Sequence, residues 1–142
     1  MAAWKGCSTL YTILMVRKLI LLAALSAGFA FAQNRVYEMR TYTCFEGKLD
    51  ALKARFRDHT IAIFNKHGME SIGYWVPQDE RKSTTLIYIL AHPSREAADQ
   101  HWKEFSADPE WKKVAAESEA NGKIVQKVDR VWMDPTDFSK LK

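Results

Sequence analysis

The segment from Thr84 to Ala91 most constrains the fold, because it has the composition of a β-strand and is apolar on both faces. Its alternate positions form two rows of apolar side chains, which are Leu86, Tyr88 and Leu90 on one face and Ile87, Ile89 and Ala91 on the other. A sheet with helices on one side usually leaves its other face polar. The segment therefore predicts a central strand whose second face is also covered, unless the isoleucines are simply tolerated in solvent.

The rest of the chain after position 33 alternates between strand and helix patterns. Three further segments have the composition of strands: residues 35–43, 69–76 and 123–133. Residues 48–66 have apolar side chains at helical spacing and end before Gly68, whereas a second helical region begins at Ser94 and restarts at Asp108. This order predicts one α+β domain with the ferredoxin-like βαββαβ arrangement. A second copy placed against the open sheet face would complete a dimeric α+β barrel.

Residues 1–32 have the pattern of a leader and not of a folded domain. A basic pair at residues 17 and 18 precedes an apolar run, Leu19 to Phe31, which closes with the small-x-small pattern of a signal-peptide cleavage site. The run is shorter than the ~20 apolar residues that a membrane-spanning helix needs. We therefore expect a translation start at Met15, a mature domain of residues 33–142, and a periplasmic or secreted protein with no stable membrane anchor. An uncleaved anchor is the alternative.

Composition limits the partners of the mature domain. The whole chain has 21 basic and 17 acidic residues, but Lys5, Arg17 and Lys18 belong to the leader. The remaining balance is close to neutral, so neither nucleic acid nor an anionic membrane is indicated as a partner. Cys44 is the one cysteine of the mature sequence, which excludes an intrachain disulfide. We interpret it as a small, semi-buried residue, with a nucleophile or an intermolecular bridge as alternatives.

Three short segments in fixed order resemble the NIPSNAP family. They are Tyr37 to Thr43 with the sequence YEMRTYT, His67 to Trp75 with HGM followed by GYW, and Ala107 to Trp111 with ADPEW. The resemblance extends from Val36 to Leu141 and implies the dimeric α+β barrel architecture. Together with the leader, it points to an exported bacterial member of the family. It implies no particular reaction.

The sequence lacks the common fingerprints of cofactor and metal enzymes. It has no glycine-rich phosphate loop, no paired-cysteine spacing, no H-E-x-x-H and no G-x-S-x-G segment. We therefore predict no cofactor and no metal, and we assign no catalytic residue.

Two histidines are candidate ligand-binding residues because of their place on the first helix. A regular helix puts His59 and His67 on or beside the apolar stripe that contains Phe56 and Ile63, so both are expected to face the interior. Eight residues of helix separate them by about 12 Å, so they cannot bind one metal ion together. Each is interpreted as a base, proton donor or axial ligand, or as a hydrogen-bonded histidine without such a role.

The other candidates combine charge with aromatic rings. Arg40 and Tyr42 share one face of the first strand with Glu38. Arg40 is therefore positioned either to hold a carboxylate group of a ligand or to form an ion pair with Glu38. Three aromatic residues are candidates for lining a pocket between sheet and helices, or for the core: Trp75, Tyr88 and Trp102.

These features predict a homodimer that binds a small, partly apolar molecule in a cavity between sheet and helices. Two alternatives remain open at this level. An enzyme is one, because related dimeric α+β barrels include cofactor-independent monooxygenases and haem-degrading oxygenases. A structural or protein-interaction module is the other.

Protein recovered from the periplasm or the culture medium should begin near Gln33, because the small-x-small pattern of residues 30–32 ends directly before it. An intact-mass measurement on that material checks the cleavage position. A product that retains residues 19–31 would show an uncleaved anchor and contradict the expectation.

Overall fold

The computed structural model describes residues 35–141. Its elements, in chain order, are β1 (Val36–Cys44), α1 (Leu49–Arg55), a π-helical turn (Phe56–Thr60), α2 (Ile61–Lys66), β2 (Glu70–Trp75), a 3₁₀ turn (Glu80–Ser83), β3 (Thr85–His92), α3 (Arg95–Ala107), α4 (Pro109–Ser118) and β4 (Val125–Met133). The leader, with its translation start at Met15 and its cleavage site, lies outside the described residues. The leader and the domain boundary at residue 33 therefore stay predictions.

The four strands form one antiparallel sheet in the order β2-β3-β1-β4. In this order β3 is inserted between β1 and β2, while β1 is inserted between β3 and β4. Each pair of strands joined by a helical segment is thus split by a strand of the other pair. This is the ferredoxin-like arrangement, and it confirms the fold class predicted from the sequence.

The register of the sheet separates its two faces. Leu86, Tyr88 and Leu90 of β3 are buried against the helices. The open face, away from the helices, carries a second apolar row across β3, β1 and β4, which comprises Tyr37, Met39, Ile87, Ile89, Val131 and Met133. On this face the side chain of Val131 is 47% exposed, and that of Trp75 on β2 is 48% exposed. The predicted two-sided apolar strand is therefore present, and the described residues leave part of its open face in solvent.

Aromatic rings fill the centre of the helix-facing layer around Phe56. Tyr42, Tyr74 and Tyr88 come from three adjacent strands, and their ring centroids lie 5.8, 5.6 and 5.1 Å from that of Phe56. Edge-on and tilted contacts of this kind stabilise a core beyond the area that they bury. The first helical segment is therefore held over the middle of the sheet by one ring.

The predicted helix ends are confirmed. The Ser94 side chain accepts a hydrogen bond from the backbone N–H of Ala97, and the Asp108 carboxylate accepts one from that of Glu110. Pro109 follows Asp108 at the first helical position, where no amide is needed. Gly68 ends the first helical segment with a φ of +71°, a conformation that residues with a Cβ rarely adopt.

Residues 48–66 do not form the single regular helix that the sequence predicts. At the π-helical turn the N–H of Ile61 bonds to the carbonyl of Phe56, five residues earlier, so the turn contains one extra residue. Thr60 takes the buried position that follows Phe56, and its hydroxyl donates to the Arg55 carbonyl at 3.1 Å. His59 is exposed as a result. The expectation that His59 faces the interior is therefore wrong.

Candidate functional site

A fully buried carboxylate lies at the centre of the polar groups on the helix-facing side of the sheet. Glu38 on β1 has no solvent exposure. Its Oε2 accepts a hydrogen bond of 2.6 Å from the indole Nε1 of Trp102 on α3. His92 Nε2, at the end of β3, lies 3.3 Å from the same oxygen, although without hydrogen-bond geometry. A buried carboxylate is costly unless such groups compensate its lost hydration.

Two arginines lie beside Glu38 on the same face. Arg40 and Arg130 are directly opposite each other in the pairing of β1 with β4. Arg40 Nη1 is 3.4 Å from Glu38 Oε1, and Arg130 Nε is 4.0 Å from it. Both distances exceed the 2.7–3.2 Å that is usual for N–H···O bonds. Among the described residues, the buried Arg40 Nε has no hydrogen-bond partner. We call Arg40 and Arg130 the arginine pair.

A pair of histidines extends the cluster toward the surface of α3. Nδ1 of His92, which is fully buried, lies 3.4 Å from Nδ1 of His101. One ring must donate and the other accept, so the two contacting nitrogens cannot both carry a proton. Burial lowers the pKa of His101, and the neighbouring His92 lowers it further. His101 therefore favours the neutral form.

Aromatic surfaces surround the arginine pair and leave one side open. The Arg40 guanidinium lies 4.1 Å from the ring centroid of Trp102 and 5.6 Å from that of Tyr42. Beyond them, Val128 is 39% exposed and the Arg130 side chain is 47% exposed. Both belong to the helix-facing row of β4. The Arg130 side of the arginine pair is therefore in contact with solvent along this edge strand.

Four of the predicted site residues come together here: Arg40, Tyr42, Tyr88 and Trp102. The Tyr88 hydroxyl donates to that of Tyr42 at 3.2 Å, on the same face as the arginine pair. Burial raises the pKa of Tyr88 well above its ordinary value. Tyr88 itself is inaccessible, so it supports the site as part of the core and does not line it.

Trp75 lies on the other face of the sheet. A β-bulge between Ser71 and Gly73 shifts the alternation of β2 by one residue. Tyr74 therefore faces Tyr88 and the helices, while Trp75 pairs with Ile87 on the open face. Trp75 is therefore not on the same face of the sheet as Trp102, although it borders the groove between the π-helical turn and β2.

His67 lies in a separate cluster at the junction of the helices. Its Nε2 is 2.7 Å from the Asp108 carboxylate, and Nδ1 is 3.8 Å from Glu104. Hydrogen bonds from Lys66 and His67 hold the pKa of Asp108 well below its ordinary value. These contacts fasten the end of α2 to the cap of α4, so they correspond to the structural interpretation of His67.

His59 lines a shallow groove of about 360 Å³ between the first helical segment and α4, with Asp58 and Ser118. A second groove, of about 280 Å³, is mainly apolar and lies between the π-helical turn and β2. Its lining includes Phe56, Tyr74 and Trp75. Glu38, His92, His101, Trp102 and the arginine pair together form what we call the Glu38 cluster. Neither groove contains any of these residues.

The sequence interpretation did not single out His92, His101 or Arg130. A signal existed for His92, because it continues the helix-facing row of β3 two residues after Leu90. The position of Arg130 opposite Arg40 follows only from the pairing of β4 with β1. Their role depends on which strands are neighbours, and the periodicity of a single strand does not contain that information.

Three further observations concern the described residues outside this site. Cys44 is buried and unpaired, and burial raises the pKa of its thiol. No group of three or more histidine, cysteine or acidic side chains within residues 35–141 is arranged to hold a metal ion. In the same range, no helix combines the length and the apolar character needed to cross a bilayer.

The split sheet with helices on one face defines the class of the protein. It is an α+β protein with the ferredoxin-like βαββαβ fold. The NIPSNAP family model matches residues 37–140, and the chain belongs to the NIPSNAP family. No protein of the curated set matches the sequence significantly.

Solved structures agree on the fold. A NIPSNAP family protein of unknown function from Agrobacterium tumefaciens is 23% identical, with a TM-score of 0.68, over 78% of this chain and 96% of that one. A NIPSNAP-like domain protein from Burkholderia xenovorans is 17% identical, with a TM-score of 0.66, over 75% and 90%. SnoaB, a cofactor-independent oxygenase from Streptomyces nogalater, is 14% identical over 76% and 97%. Its TM-score is 0.48.

Glu38→Gln should lower the free energy of unfolding by about 3–5 kcal/mol, because it leaves the arginine pair without its buried counter-ion while the shape is retained. Urea denaturation measures the change. Glu117→Gln is the control, since it removes an exposed ion pair with Lys113 and should cost about 0–1 kcal/mol. Equal losses in the two variants would show that the Glu38 charge has no special role.

Proposed function

We propose that this protein is an exported homodimer that binds a small, partly apolar molecule on the helix-facing side of its sheet, at the arginine pair. The single observation that carries the binding proposal is the combination of a fully buried polar cluster with an open, aromatic-lined surface directly beside it. Desolvation of such a cluster is costly, so its presence beside an exposed surface favours a functional role over a purely structural one.

Known small-molecule sites share this composition. Most of their lining is apolar or aromatic, and a few convergent polar groups fix the orientation of the ligand. Here Tyr42, Trp102 and Val128 supply the apolar surface, while Arg40 and Arg130 supply the polar groups. The apolar groove beside the π-helical turn lacks any buried polar cluster, so it is the weaker candidate.

The homodimer is supported by the open sheet face. The described part of the chain leaves Trp75 and Val131 about half exposed on it. Ile87 and Ile89 lie between them and are partly buried. An apolar surface of this kind on a soluble domain is typical of a protein–protein contact. Because this face is opposite to the arginine pair, a second copy bound to it would leave both ligand sites accessible.

Export is supported by the leader sequence alone. The basic pair, the apolar run and the small-x-small pattern are the parts of a secretory signal.

Ile89→Lys should convert the dimer to a monomer or make the protein insoluble, because the lysine would place an unpaired charge in the buried interface. Light scattering after size-exclusion chromatography measures the mass. Ala62→Lys, on the exposed side of α2, is the matched control and should remain dimeric. A monomeric wild-type protein at micromolar concentration would contradict the proposal.

A thermal-shift screen of small aromatic and aliphatic molecules should yield compounds that stabilise the mature protein, and the indole NMR signal of Trp102 should move with them. Val128→Phe should abolish the response, because the larger ring fills the open side of the site. His59→Leu, remote from the Glu38 cluster, should respond like the wild type. Compounds that still bind to Val128→Phe and shift signals of Phe56 and Tyr74 would move the site to the apolar groove.

A further inference from the structure

We propose that the arginine pair recognises the carboxylate group of a small organic monoacid. The proposal rests on the proposed function and names the class of ligand for the same site. It is carried by the register of the sheet, the distances to Glu38 and the unused donors of the two guanidinium groups.

The register places two like charges in direct opposition. Arg40 and Arg130 are cross-strand partners on β1 and β4, so their side chains leave the same face of the sheet as nearest neighbours. Like charges at directly opposite positions destabilise a sheet unless an anion compensates them. An anion bound between the two arginines would convert this repulsion into attraction.

Glu38 supplies only part of that compensation. Its Oε2 is used by the Trp102 indole at 2.6 Å, which leaves Oε1 for both guanidinium groups. The distances from Oε1 are 3.4 Å to Arg40 and 4.0 Å to Arg130. One carboxylate faces two guanidinium groups, so one positive charge remains even when His92 is neutral. This excess matches a ligand with a single negative charge better than a phosphate or a dicarboxylate.

The donors that remain suit a carboxylate. Within residues 35–141, the buried Arg40 Nε has no hydrogen-bond partner. The Arg130 side chain is about half exposed, and its contact with Glu38 at 4.0 Å is too long for a hydrogen bond. A guanidinium group offers two parallel N–H donors that fit the two oxygens of a carboxylate. Arg130 can therefore bind a carboxylate from its exposed side without displacing Glu38, and a rotation of the Arg40 side chain would bring its unused Nε–H to the same carboxylate.

The surroundings define the rest of the ligand. Arg40 covers one side of the Trp102 ring and also lies beside the Tyr42 ring. Val128 on β4 is the cross-strand partner of Tyr42. These surfaces are apolar and partly flat, which suits an aryl or short alkyl group attached to the acid. The inferred ligand class is a monocarboxylate with a small aromatic or aliphatic body.

A carboxylate built into the protein tests the charge requirement without a ligand. Residue 128 precedes Arg130 by two positions on the same face of β4. Val128→Glu should therefore melt several degrees above Val128→Gln at low ionic strength, and the difference should shrink as salt is added. Ala62→Glu and Ala62→Gln form the control pair on an exposed helix face. An equal difference in both pairs, or a Val128→Glu variant less stable than Val128→Gln, would overturn the proposal.

Free acids test the site directly. Acetate and phenylacetate should move the Arg40 Nε–Hε NMR signal, whereas acetamide and phenylacetamide should not, at equal ionic strength. Arg130→Gln should weaken phenylacetate binding at least about tenfold, as expected for a lost charged hydrogen bond. Lys103→Gln, an equal charge change at an exposed position of α3, should leave it unchanged.

The outcomes separate the two proposals. If phenylacetamide binds as well as phenylacetate, the partly apolar site stands and the carboxylate inference is wrong. If acetate binds as well as phenylacetate, the carboxylate inference stands and the apolar part of the proposed function is wrong. If neither acid moves the Arg40 signal, or Lys103→Gln weakens binding as much as Arg130→Gln does, the arginine pair does not recognise carboxylates.

Discussion

The burial of the Glu38 carboxylate is the constraint on which the arrangement of the helix-facing layer depends. A carboxylate without solvent contact loses several kcal/mol of hydration, which donors from the protein must compensate. The compensating groups come from different elements. Trp102 of α3 donates a hydrogen bond, while His92 at the end of β3 and Arg130 of β4 lie 3.3 and 4.0 Å from the carboxylate without one. If α3 moved along the sheet, the indole bond of 2.6 Å would be lost. One charge therefore fixes the helix layer relative to three strands.

The two faces of the sheet carry different sets of side chains, because side chains alternate along each strand. Arg40 on β1 points to the helices, while its neighbour Met39 belongs to the open apolar face. On β4, Arg130 and Val131 alternate in the same way. The proposed ligand site and the proposed dimer contact thus use the same strands without competing for the same residues. A one-residue change of register would exchange the two sets completely.

Two single-residue insertions explain where interpretation from the sequence failed. The π-helical turn adds one residue after Phe56, so that Thr60 and not His59 continues the buried stripe. The β-bulge adds one residue before Gly73, so that Trp75 leaves the helix-facing side. A helical wheel or a strict strand alternation assumes a constant period, and both insertions break it. They are tolerated because packing compensates them: the Phe56 ring is placed among three tyrosines.

The sequence by itself determined the order of the elements, the helix caps at Ser94 and Asp108, and the two-sided apolar strand, because these features depend on local propensity and on the period of one segment. It also indicated Arg40, Tyr42 and Trp102 as candidates, since Arg40 and Tyr42 share a strand face with Glu38 and Trp102 is an aromatic residue on the inner face of the second helical region. Only the tertiary structure decided that Arg130 lies opposite Arg40 and that His92 lies beside Glu38. The reason is physical: these contacts join residues more than 50 positions apart, and their energy comes from strand pairing and burial, which no local pattern specifies.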